Sequence, residues 1–204
     1  MTYPRILFFL VLLAEIALGI QPQADRTTWV LENFPVFIIL PLTVYLQPRL
    51  KLSYFALTMM ALHALVLMLG GFYTYAKVPL GFWMQEWFHF QRNHYDRIGH
   101  LMQGFVPAIV FREMFLSKTT LKRGAVLTTV LISMSLAIAC LYEIIEWISA
   151  VALGQGADAF LGTQGDPWDT QEDMFCALLG VLFAVWVAVK IQDRLTKPLL
   201  GRGA

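Results

Sequence analysis

Charge is scarce in this 204-residue chain. Asp, Glu, Lys and Arg make up 14% of it and hydrophobic residues 58%, with a mean hydropathy of +0.62; average soluble domains carry about 25% charged residues. A soluble core absorbs single apolar helices, but here nearly every helical segment is apolar all round. That excludes an ordinary soluble domain and points to an integral membrane protein. Cysteine is equally thin: Cys140 and Cys176 both fall inside apolar segments, so no disulfide framework is built from them. Internal repeats, low-complexity tracts and Gly/Ser-rich linkers are missing, which leaves one integral membrane domain over 1–204. There is no phosphate-cradling Gly-rich loop, no basic surface for nucleic acid, no H-E-x-x-H pair, and no serine in an elbow-like setting for a nucleophilic triad.

What is there is a series of apolar runs. Spans of roughly 20 apolar residues are expected at about 5–20, 33–47, 52–72, 97–116, 124–150 and 172–192. The fold expected is therefore all-α, a polytopic membrane helix bundle with about six transmembrane helices. The first run, MTYPRILFFLVLLAEIALGIQ, is short enough to be read as a signal peptide, but Glu15 inside it and the lack of an A-x-A exit argue for retention. The second contains Pro35 and Pro41, which a membrane helix tolerates at a kink.

Lys and Arg set the orientation. With an inside amino terminus, the inner regions hold Arg5, Arg49, Lys51, Arg112, Lys118, Lys122, Arg123, Lys190, Arg194, Lys197 and Arg202, and the outer regions hold Arg26, Lys77, Arg92 and Arg97. Both termini are therefore expected inside. The acids run the other way. Only Glu113 and Asp193 fall on the inner side, and the outer loop GQGADAFLGTQGDPWDTQED carries acids without a Lys or Arg. This skew marks the outer face as the chemical one.

Three helices bring polar groups to one depth there. Asp96 and His100 are i,i+4 partners at the start of the fourth span, and Gln103 continues their face. Glu143 and Glu146 lie about 30 Å along the fifth helix from Gly124, at the far edge of the hydrocarbon. Asp169 and Asp173 open the sixth at i,i+4. Helix capping is the competing role for Asp166, Asp169 and Asp96: DPWD fits an N-cap at Asp166 with Pro167 at N1, and Asn93 suits the cap of the fourth helix. Arg97 can pair with an acid or reach for headgroups. His89 and His94 read as loop histidines and His63 as a packing residue. His100, Glu143, Glu146 and Asp173 lie at least a turn inside their helices, where ionisable groups are costly and usually functional. The competing explanation is a polar network that locks helices together.

One imidazole among several carboxylates suits two kinds of chemistry. As a metal-free acid–base site, His100, Glu143, Glu146, Asp173 and Asp169 would be catalytic. As a divalent metal ion site, Asp96, His100, Glu146, Asp169 and Asp173 would supply mixed N/O ligands. Arg97, Gln103, Asp166 and Trp168 are the candidate substrate contacts. The aromatic-rich stretch GGFYTYAKVPLGFWMQEWFHF, residues 70–90, suits an interfacial belt or lid over a pocket at headgroup level.

RNHYDRIGHLMQGFVPAIVFRE, YEIIEW and ADAFLGTQGDPWDTQEDM together resemble the YjdF-like family of bacterial inner-membrane proteins, over most of the chain. That resemblance implies a multi-pass protein of the bacterial cell inner membrane and brings no reaction with it. A fainter similarity reaches the VanZ-like membrane proteins, whose D-K-x-x-H pattern is similar to Asp96-Arg97-Ile98-Gly99-His100. Their last polar helix runs D-x-x-x-N-x-x-G; Asp173 and Gly180 have that spacing, but Ala177 stands in place of the Asn. That similarity implies only the location of the site; the pocket at headgroup level makes a lipid or lipid-linked headgroup the natural substrate, with membrane lipids as partners. The expected function is hydrolysis or group transfer on a lipid or lipid-linked headgroup at the outer, periplasmic face. The alternatives are a small transporter or cation-binding membrane protein, or a structural or assembly protein.

Overall fold

The computed structural model describes residues 2–153 and 163–200, with side chains described through 152 and from 163 to 195. The ADAFLG part of the third motif, Asp158 within it, Arg202 and the Lys197 side chain lie outside the described residues. Helices run in the order α1 (Tyr3–Ile20), α2 (Arg26–Leu50), α3 (Tyr54–Tyr73), α4 (Pro79–Phe88), α5 (Tyr95–Lys118), α6 (Ala125–Leu153), α7 (Asp169–Phe183) and α8 (Val189–Leu200). A π-helical segment, Ala184–Ala188, joins the last two into one rod. Among the described residues there is no strand.

Five helical segments are long and apolar enough to cross a membrane: Tyr3–Ile20, Arg26–Leu50, Tyr54–Tyr73, Ala125–Ala152 and Asp169–Leu195. α5, at about 36 Å, has the length of a sixth span but carries Asp96, Arg97, Arg112 and Glu113. It can do so because it is the central helix, packed against α3, α6 and α7, so its ionisable groups face protein instead of lipid.

Caps explain the boundaries. Asp25 accepts from the backbone N–H of Thr27 and Thr28 at 3.0 Å each, so α2 begins seven residues before the expected span. Pro35, Pro41 and Pro48 all sit inside α2, which continues through them. Arg26 donates to the last carbonyls of α1, Gly19 and Ile20, and Ser53 Oγ caps α3 through Ala56 N–H at 3.1 Å.

The helices form two groups, α1–α2–α3 and α5–α6–α7, joined where α3 packs on α5. We call the end carrying Asp25, Tyr95 and Asp169 the upper end. The closest approach is α5 against α7. A Cβ on Gly104 would lie 1.8 Å from the Ala177 carbonyl oxygen, and one on Gly180 would lie 2.0 Å from that of Leu101. Small residues at this crossing let the two backbones touch, the usual device of membrane bundles.

Two polar networks occupy opposite ends. At the lower end, Arg112 donates to Gln192 at 3.0 Å and Asp193 at 2.7 Å. Gln192 donates to Glu113 and to the Ile109 carbonyl, each at 3.0 Å. Glu113 takes the Ser53 N–H at 2.8 Å and the Ser53 hydroxyl as well. This network ties α3, α5 and α8 together.

Candidate functional site

The upper network is built differently. α5 starts at Tyr95, two residues after Asn93, and the Tyr95 N–H donates to Asn93 Oδ1 at 3.0 Å. Asn93 is held in turn by Gln164, which accepts from its N–H at 3.1 Å and donates to its carbonyl at 2.8 Å. That pairing lays the segment before α7 along the start of α5. α7 itself begins at Asp169, so Asp166 does not cap it at N2 or N3; its carboxylate takes the Trp168 N–H at 2.9 Å.

Two arginines clamp the α7 acids. Arg97 donates to Asp169 and Glu172 at 2.8 Å each and to Asp173, with Asp166 at 3.9 Å. Arg92 pairs with Asp169 and donates to the Thr163 carbonyl, with Asp166 at 3.8 Å. Beside them, burial together with Arg92 and Arg97 holds His94 below its ordinary 6.5.

One turn deeper lies His100, 4% exposed. Its Nδ1 stands 3.0 Å from Gln103 Oε1. Because that oxygen only accepts, Nδ1 is the donor. The opposite nitrogen, Nε2, faces Asp96 at 3.5 Å and Glu143 and Asp173 at 3.6 Å each. These are longer than hydrogen bonds. Asp173 and Glu143 are buried and Asp96 half-buried, and the Tyr142 ring stands edge-on to the imidazole at 6.2 Å. One potential ligand atom each from Asp96, His100 and Asp173 lies within 4.8 Å of the other two.

His100, Asp96, Gln103, Glu143 and Asp173 therefore meet, while the remaining candidates stand around them. Glu146 lines the adjoining cavity with Asp96 and His100. Asp169 belongs to the arginine clamp. Trp168 is 64% exposed. Gln103 spends its carbonyl on His100 and so fixes the imidazole's Nδ1.

Glu32 is the residue that sequence reasoning missed. It is 1% exposed, faces the Thr74 hydroxyl and the Tyr75 backbone, and lines the same cavity as Asp96, His100, Glu146, Tyr75 and Tyr142. The signal was present: Glu32 is the one acid between Arg26 and Arg49. A span drawn from residue 33 left it outside the membrane.

Residues 3–194 match the family described as Predicted membrane protein (DUF2238). The chain is 50% identical over 170 residues to the Inner membrane protein YjdF of Escherichia coli (strain K12), covering 83% of this chain and 81% of that protein. No solved structure matches it. The long apolar helices and this relative make the chain a multi-pass inner-membrane protein. A match over nearly the full length, on a bundle with these helices, establishes that the chain belongs to the DUF2238 family of membrane proteins.

Proposed function

We propose that this protein performs hydrolysis or group transfer on a lipid or lipid-linked headgroup, at a site on the outer face with both termini inside. The observation that carries this reading is His100: a buried imidazole whose Nε2 faces three carboxylates at distances too long for hydrogen bonds, beside a cavity. A purely structural network would close those gaps, as the lower-end network does.

In the hydrolytic form, a carboxylate at the cavity edge, Asp96 or Glu146, takes a proton from water. The water oxygen bonds to the headgroup's acyl carbon. His100 Nε2–H gives its proton to the leaving oxygen, whose bond to that centre breaks. One water is consumed, and one acid and one alcohol are released. Asp173 and Glu143 stabilise the imidazolium, and Gln103 holds the ring through Nδ1.

The test is turnover of inner-membrane lipid extract by the purified protein, followed by lipid mass spectrometry. Wild type should consume one lipid class. His100→Gln should slow it by about 10²–10⁴-fold, the range for loss of a general acid–base group, with melting temperature retained. No lipid change with wild type, or equal rates in the variant, refutes the chemistry.

A divalent ion is a second reading with its own support. Ligands at roughly 2.0–2.2 Å from a tetrahedral ion stand about 3.4 Å apart, close to the 3.5–3.6 Å from Nε2 to its three oxygens. Asp96, His100, Glu143 and Asp173 would hold it, and it would polarise the headgroup oxygen. Elemental analysis of purified wild type against Asp173→Asn decides: stoichiometric metal lost in the variant supports it, and metal-free wild type overturns it.

A further inference from the structure

The cavity beside His100 is long, one-sided in charge and open to the side. It measures about 750 Å³ and is walled by α2, α5 and α6 together with residues of α1 and α3. Its ends differ. Glu32, Asp96, Glu146 and His100 line the upper end, and Arg5 and Gln47 the lower. Glu32 and Gln47 are fifteen positions apart on α2, about 22 Å at 1.5 Å per residue. One leaflet is roughly 15 Å, half of the ~30 Å hydrocarbon core. Between the ends the walls are apolar, with Val36, Leu40, Val106, Val110 and Ile138 among them. Phe34, Ile38 and Leu141 also line it and are themselves exposed. The cleft therefore opens on the flank of the bundle, where lipid chains lie.

Charge selects what enters. Three acids stand at the polar end, and no Lys or Arg lines it. The nearby arginines are shared mainly with other acids: Arg97 with Asp169, Glu172 and Asp173 and, at 3.9 Å, with Asp96, and Arg92 with Asp169, so Glu32 and Glu146 have no arginine partner among the described residues. An anionic head would face Glu32, Asp96 and Glu146 in a low-dielectric setting, where like charges repel strongly. A cation relieves that repulsion. We infer that the cleft receives a membrane amphiphile with a protonated amine head and a single long apolar tail, the head among Glu32, Asp96 and Glu146 and the tail along α2. The inference rests on the reading of the His100 cluster as a headgroup site and names the class of head it takes.

The experiment is native mass spectrometry of the full-length protein in detergent, titrated with hexadecylamine, hexadecyl sulfate and hexadecanol, which share one tail. Hexadecylamine should form adducts at about tenfold lower concentration than the other two, a difference of about 1.4 kcal/mol. The Glu32→Gln/Glu146→Gln double variant should lose that preference while still binding hexadecanol, which reports an intact cleft. Ile138→Trp should weaken all three. Equal binding of the three probes by wild type, a preference for the sulfate, or an amine preference that survives the double variant overturns the proposal. The outcome is separable from the turnover test. His100-dependent turnover without amine preference removes the head assignment alone. Amine preference without turnover keeps the ligand class and removes the chemistry.

Discussion

Replacing Arg97 with Met should destabilise the protein by about 3–5 kcal/mol, the cost of stranding one member of a buried ion pair. The contacts decide how much of that range applies. Arg97 reaches Asp173, Asp169 and Glu172. The Glu172 side chain is 49% exposed, so that pair contributes at most about 1 kcal/mol. Asp169 keeps Arg92. Asp173, with its side chain 2% exposed, is left with only His100 at 3.6 Å among its described cationic neighbours. Nearly all the loss is therefore the uncompensated charge on Asp173, and it should be relieved by a second substitution. Arg97→Met/Asp173→Asn should be more stable than Arg97→Met alone, with a coupling of roughly 1–3 kcal/mol. Reversible unfolding in mixed micelles at rising dodecyl sulfate fraction measures both. A loss below about 1 kcal/mol in the single variant, well under the buried-pair range, refutes the reasoning, as does simple additivity in the double.

The crossing of α5 and α7 gives a second prediction. Gly180→Val must push the backbones apart, because even a Cβ there sits 2.0 Å from the Leu101 carbonyl oxygen; a loss at or above the 1–3 kcal/mol typical of overpacking is expected in the same micelle assay, and a neutral result would show that the helices do not touch there. A third concerns acid. Asp25 is held below its ordinary 3.8 by the Thr28 hydroxyl and by the backbone N–H of Thr28 and Thr27, so its stabilising cap is fully present above pH 3.8 and is lost as pH falls through its lower folded value. Asp25→Ala should cost about 1 kcal/mol at neutral pH and flatten that acid limb in pH-dependent melting; an unchanged acid limb contradicts the cap.

Long apolar runs made the spans legible, because a segment that is apolar all round has few other places to go in a membrane protein. Their ends were less so. α2 starts at Arg26 through the Asp25 cap, and three prolines inside it were tolerated without ending it. The short helix α4 lay hidden in the aromatic stretch 70–90. Its position depends on Gly81 abutting the Asn93 side chain, a contact that periodicity does not contain. The site was legible in height but not in direction. Counting along helices brings Glu143, Glu146, Asp169 and Asp173 to the level of His100. At 100° per residue, i and i+3 still differ by about 60° around the axis. That is enough to send Glu143 to the imidazole while Glu146 turns to the cavity, and Glu32 entered only when α2 was long enough to include it.

The two polar networks show why the upper one, and not the lower, is the place to look for chemistry. Both bury ionisable groups near the ends of α5. At the lower end, Arg112, Glu113, Gln192 and Ser53 meet at hydrogen-bond distance, and three elements are fixed by the result. Opening that network would strand buried charges, so it serves the fold. At the upper end the arginine clamp does the same fixing for α7, Asp173 included, and His100 and Glu143 take no part in it. Nε2 then keeps 3.5–3.6 Å to each oxygen, which leaves the imidazole a proton or a cation to share and a cavity from which to receive a ligand.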